Sequence, residues 1–226
     1  NLIAQNNYRY FTTGTVEDTT NPSVSQTSIF DGSADMPING RVVLEMDGPI
    51  SDACLYTEGI ELKVGATSVP IEVTLGNNRS TISISGQSNF AANTQHDLSI
   101  INLCDYAGNQ ISGSVLSFTT LDSQTEDTSA PTVVSISPAN NATDVAISSN
   151  VVIQYNEPVD ARSAPPIKTG GTAVTGSYNV VGDTITFTPA APLANGTVYE
   201  IELFHNVPDH AGRTTSGGKT SFTTIE

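Results

Sequence analysis

The chain has 226 residues, with 8 Lys and Arg against 23 Asp and Glu, a formal charge of −15, two cysteines and no tryptophan. Such a balance cannot neutralise a row of phosphates, which argues against nucleic acid as a partner. No apolar run approaches the roughly 20 residues of a membrane helix, and the surplus carboxylates suit a solvated surface in a salty or calcium-rich medium.

From the N-terminus, the first signal is Phe11-Thr12-Thr13, and the tripeptide returns at Phe118 and Phe222. The first two copies are followed by related phrases, Glu17-Asp18-Thr19-Thr20-Asn21-Pro22 and Glu126-Asp127-Thr128-Ser129-Ala130-Pro131. A period of about one hundred residues is the length of one small β-domain and marks an array of repeats. Residues 1–16 therefore read as the closing strand of a preceding repeat, with residues 8–12 expected to pair with an edge strand. Residues 17–120 form a first unit, 121–129 a short polar linker and 130–226 a second unit.

In the first unit, Asp31-Gly32 is a turn and Ser51–Leu55 allows one helical turn. Ile60–Val64, Ile71–Leu75 and Thr81–Ile84 alternate as strands, with a turn at Gly76-Asn77-Asn78. Cys54 and Cys104 are the only cysteines, and an even count in a Ser/Thr-rich β chain suits an oxidising compartment. In the second unit, turns at Asn140-Asn141, Val181-Gly182-Asp183 and Asn195-Gly196 separate strands at Val151–Tyr155, Asp183–Thr188 and Tyr199–Leu203. Alternation in the last puts Tyr199, Ile201 and Leu203 on the inner face and Glu200 and Glu202 in water. The two units align along nearly their whole length: Asp35 falls on Asp144, Pro49 on Pro158, His96 on Tyr199 and Asp105 on Asp209. About seven short strands per unit predict an all-β chain of two tandem Ig-like antiparallel Greek-key β-sandwiches.

The order of motifs in the second unit resembles the bacterial Ig-like domain of S-layer proteins and large surface adhesins. The residues that carry it are Pro131–Pro138, Asn140–Val145, Tyr155–Asp160, Phe187-Thr-Pro-Ala-Ala-Pro-Leu193, Tyr199, Asp209-His-Ala-Gly212 and Phe222-Thr-Thr224. The first unit diverges: Ser85-Gly86 stand where the Thr-Pro-x-x-Pro-Leu stretch belongs, and two cysteines are added. After Asp-x-x-Gly the family usually has Asn; Asn109 fits and Arg213 departs. The resemblance implies an extracellular, non-catalytic spacer or adhesive stalk whose partners are neighbouring repeats of the same polypeptide. A module binding surface glycan or protein, or one accessory to a secreted polysaccharide-degrading enzyme, is the alternative; Tyr56 and Tyr106 are the loop aromatics that suggest a binding patch.

In Ig topology the start of the first strand and the B–C and F–G loops share one end. Glu126, Asp127, Glu157, Asp160 and Asp209 are thus expected at the top of the second unit, with Asp31 and Asp35 of the first unit facing the same joint. Calcium takes six to eight oxygens from such loops, so these seven carboxylates are candidate Ca2+ ligands, although Asp31-Gly-Ser-Ala-Asp35 lacks the spacing of an EF-hand. The alternative is that Asp105 and Asp209 only fix their own turns through backbone hydrogen bonds. Cys54 and Cys104 fall in neighbouring loops, which makes a disulfide reasonable; reduced, half-buried thiols are the alternative. His205 and His210 lack the further ligands that zinc needs. Gly217-Gly218-Lys219-Thr220 lacks both the earlier Gly and the helix of a phosphate loop. Asn78, Asn141 and Asn195 match the N-glycosylation pattern but read as turn residues.

Overall fold

The computed structural model describes residues 16–55, 59–203 and 207–226. The expectation for residues 8–12, and Tyr56 and His205, lie outside the described residues.

Both units share one plan. In the first, a four-stranded sheet runs β1 (Val24–Thr27), β3 (Arg41–Met46), β7 (Thr81–Gly86), β6 (Ile71–Leu75). The facing five-stranded sheet runs β2 (Ser33–Met36), β9 (Gln110–Thr120), β8 (Gln95–Cys104), β4 (Ile60–Val64), β5 (Thr67–Ser68). The second unit repeats this as β10 (Val133–Ser137), β12 (Val151–Tyr155), β16 (Thr184–Pro189), β15 (Gly176–Val181), facing β11 (Ala142–Val145), β18 (Lys219–Thr224), β17 (Val198–Glu202), β13 (Ile167–Thr169), β14 (Thr172–Ala173). The expected helical turn is α1 (Asp52–Leu55).

Each unit thus has nine strands among the described residues, where the sequence suggests about seven. The extra ones are a two-residue hairpin arm (β5, β14) and a division of the opening strand. That strand first pairs antiparallel with its neighbour, then crosses to the other sheet and runs parallel to the closing strand, β2 beside β9 and β11 beside β18. Gly32, at φ 80°, and Asn141, at φ 63°, make the crossing turns, where left-handed backbone favours Gly and Asn.

Alternation fills both cores. Val42, Leu44 and Met46 of β3 meet Ile82 and Ile84 of β7 and Leu98 and Phe118 of the opposite sheet. Val151, Ile153 and Tyr155 of β12 meet Ile185, Phe187, Ile201 and Phe222. One expectation is corrected here. Tyr199, Ile201 and Leu203 do face inward, but Glu202 is not in water: Lys168 Nζ at 2.6 Å and Lys219 Nζ at 3.2 Å cover its carboxylate. The long lysine stems shield a group whose alternation alone marks it as outward.

A disulfide joins Cys54 on α1 to Cys104 at the end of β8, with the Cα atoms 5.7 Å apart. It ties the B–C segment of the first unit to the end of its F strand.

Candidate functional site

The bottom of the first unit docks on the top of the second, and polar groups make the joint. Asn39 holds the linker with both ends of its amide: Nδ2 donates to the Asp127 carbonyl at 2.8 Å, and Oδ1 accepts from the Asp127 N–H at 2.9 Å. The Arg41 N–H donates to the His210 carbonyl, and the Ala161 N–H to the Ser28 carbonyl, each at 2.8 Å. Asn89 Nδ2 donates to Glu126 at 2.9 Å, and Arg162 reaches Glu45 at 3.6 Å. A side chain at Gly212, whose φ is 82°, would collide with the Arg41 guanidinium.

The structure separates the seven candidate carboxylates. Asp127, Glu157 and Asp209 converge, offering oxygens that all lie within 4.8 Å of one another. Of the other four, three have local duties, while Asp35 Oδ1 is buried with no hydrogen-bond partner. Asp31 Oδ1 accepts from the Ser117 N–H at 2.7 Å and the Ser117 hydroxyl at 3.0 Å, pinning the crossing turn to β9. Asn140 does the same in the second unit, accepting from the Ser221 N–H and the Thr220 hydroxyl. Asp160 is buried and accepts from Arg162 through its backbone N–H, Nε and Nη2. Glu126 takes the Asn89 amide, and Asp35 lies across the joint from His210, with Oδ1 and Nδ1 3.8 Å apart. Asp35, Pro37, Leu121, Glu126, Asp127, Glu157, Pro158 and His210 line a cleft of about 340 Å³ between the units.

Burial sets the electrostatics of the triad. It pushes the Glu157 carboxyl up to about 7, helped by the charge and hydrogen bond of Asp127 and the charge of Asp209. Asp209 is also raised, chiefly by burial, while backbone N–H groups of the turn, Arg213 first, pull it back and Asp127 adds repulsion. Asp209 Oδ1 accepts from the Arg213 N–H at 2.7 Å, whereas Oδ2 is buried with no hydrogen-bond partner.

The first unit repeats the turn, but its aspartates are taken up by neighbouring donors. Asp105 Oδ1 accepts from the Ala107 and Asn109 N–H groups, and Oδ2 accepts from Asn109 Nδ2 at 2.8 Å; the same amide donates to the Asp18 carbonyl. Hydrogen bonds led by that Asn109 amide hold the Asp105 carboxyl below its ordinary value. Asn39, Asn89 and Arg162 carry no motif and were missed from sequence; only position at a loop pointed to them. Beside the first unit's turn, Tyr106 is exposed, with the Arg79 guanidinium 5.8 Å over its ring.

The sequence profile described as bacterial Ig-like domain matches residues 18–120 and again 127–224. The chain belongs to the bacterial Ig-like domain family. Among solved structures it is similar to the S-layer protein SbsC (residues 31–844), at 10% identity and a TM-score of 0.36 over 92% of this chain and 41% of that one. The N-terminal part of the bacterial S-layer protein SbsC gives 14% identity and 0.36 over 92% and 45%. An L,D-transpeptidase from Mycobacterium smegmatis gives 9% identity and 0.33 over 91% and 90%. The chain spans less than half the length of these S-layer proteins. No curated protein matches it by sequence.

Proposed function

We propose that these two bacterial Ig-like domains are a non-catalytic spacer in a surface or secreted protein, carrying load along the chain and holding a distal region away from its anchor. Partners on this reading are the adjoining repeats of the same polypeptide. Among the described residues no helix is long and apolar enough to cross a membrane.

The observation that supports it best is the parallel pairing of opening and closing strands in both units. β2 meets β9 through Ser33 opposite Phe118 and Met36 opposite Thr120; β11 meets β18 through Ala142 opposite Phe222 and Val145 opposite Thr224. In a parallel pair, a pull on the start of one strand and the end of the other loads every bridging hydrogen bond together, in shear. An antiparallel hairpin pulled from its open end breaks its bonds one by one. The clamp is closed at both ends: the Gly32 N–H donates to Ser117 O at 2.9 Å and Leu121 N–H to Met36 O at 2.8 Å. Asn141 N–H to Ser221 O at 2.7 Å and Ile225 N–H to Val145 O at 2.9 Å repeat this in the second unit.

Single-molecule pulling from the two chain ends tests the reading, with Ile225→Pro as the probe because it deletes one clamp donor at a surface position. Two unfolding events are expected, and the variant lowers the force of one of them while circular dichroism keeps its native form. Identical force distributions for the variant and the parent overturn the shear clamp.

A further inference from the structure

We propose that Asp127, Glu157 and Asp209 form a binding site for one calcium ion at the joint between the two domains. The inference stands independently of the load-bearing reading.

Distance is the first support. Oxygens bound to one Ca2+ at about 2.3–2.6 Å lie at most about 5.2 Å apart, and the three carboxylates offer oxygens within 4.8 Å of one another. A set made only of carboxylate oxygens selects hard cations over zinc or copper.

The second support is independent of the clustering. Asp209 is 4% exposed, and its Oδ2 is buried with no hydrogen-bond partner. A buried carboxylate oxygen without a donor is costly, and such an atom calls for an unseen partner. Arg162, the cation nearest in sequence to Glu157, is committed to Asp160 and Glu45.

The protein supplies its own control. At the matching end of the first unit stand Asp18, Gly48 and Asp105, where the second has Asp127, Glu157 and Asp209. There the Asn109 amide donates to Asp105 Oδ2, the oxygen equivalent to the orphan. Among the changes between the ends, Asp47-Gly48 becomes Asn156-Glu157, which moves the carboxylate from the position bonded to Ser23 to the one beside Asp209, and Asn109 becomes Arg213, which gives Asp209 its backbone N–H and leaves its side chain exposed. One end is closed by an amide; at the other the amide is gone and three carboxylates converge. The mutual repulsion of three carboxylates held this close is what a divalent ion would cancel.

Location gives the ion its consequence. Asp127 belongs to the linker and is held at its backbone by Asn39 of the first domain, while Glu157 and Asp209 belong to loops of the second. One ion therefore fastens linker to domain, with water completing the shell. Three protein carboxylates suit the weak end of the calcium range, a Kd of about 10⁻⁴–10⁻³ M, as in extracellular modules.

The test is calorimetric titration of the EDTA-stripped 226-residue chain with CaCl2 alone, at fixed ionic strength. One ion per chain is expected, with at least a tenfold loss of affinity in Glu157→Gln. Arg213→Asn is the second probe: it rebuilds the closure seen at Asp105, so it is expected to fold and to weaken calcium by a similar factor. Asp31→Asn, remote from the triad, keeps the parent affinity. No binding by the parent chain, or parent affinity in both Glu157→Gln and Arg213→Asn, overturns the site.

Discussion

His96 shows how one side chain can carry a pH dependence that belongs to a whole domain. It is 1% exposed, stacked on Phe118 with ring centres 5.0 Å apart and planes 7° apart, and its Nδ1 lies 2.9 Å from the Thr94 carbonyl. Burial holds its basicity below the ordinary histidine value, outweighing the Thr94 carbonyl and Asp97. In the unfolded chain it titrates near 6.5. Between the two values the unfolded state binds more protons, so stability falls as pH drops through the unfolded value and levels off below the folded one, by at most about 1.4 kcal/mol per pH unit. Scanning calorimetry from pH 7.5 to 5.5 is expected to show the first domain losing stability more steeply than His96→Phe; parallel slopes would refute this. The equivalent Tyr199 stacks on Phe222, with ring centres 5.5 Å apart and planes 19° apart. The equivalence was legible in the sequence because strand alternation fixes which face a residue occupies. The duty of Asp31 was not: a carboxylate in a turn looks the same whether it awaits an ion or, as here, caps the Ser117 N–H.

At the scale of elements, the strands with strong alternation were legible, since β7, β12 and β16 bury Ile82 and Ile84, Val151, Ile153 and Tyr155, and Ile185 and Phe187 at every second position. The opening strands were not. β1 and β11 have at most partly buried residues, and the pairing of β2 with β9 joins Ser33 to Phe118 across most of the domain, a relation that no local pattern encodes. The Cys54–Cys104 bridge lies between these cases, because loop adjacency followed from topology once the sandwich was recognised. It closes a span of 50 residues, for which the chain-entropy account gives about 4 kcal/mol. The second domain has no cysteine. The double variant Cys54→Ser/Cys104→Ser is therefore expected to lower the melting point of the first domain by roughly 10–20 °C and leave that of the second unchanged. A shift shared by both domains would mean that they unfold as one unit.

At the scale of the whole molecule, the question is what fixes one sandwich on the other. The sequence reading set the bottom of the first unit against the top of the second, but the bonds at the joint are made largely by backbone groups and neutral amides that no motif announces. Most of the cross-joint bonds have alternatives in water: Arg162–Glu45 is a half-exposed pair at 3.6 Å, and such pairs are worth little. Asn39 is different. Its two bonds, at 2.8 and 2.9 Å, satisfy both the carbonyl and the N–H of Asp127 with a short side chain that has only χ1 and χ2 to immobilise, and they are partly buried. Each is worth about 1 kcal/mol net. Asn39→Ala removes both while leaving the two cores intact, so the melting points of the separate domains are expected to hold. The Asp127 amide, no longer bonded, exchanges with solvent faster in hydrogen-exchange mass spectrometry, and small-angle scattering shows a broader distribution of interdomain distances. An unchanged exchange rate together with an unchanged scattering curve would assign the joint to the Ser28–Ala161 and Arg41–His210 backbone bonds instead. In that case the linker would follow the docking of the domains, whereas the bonds to Asn39 argue that it directs it.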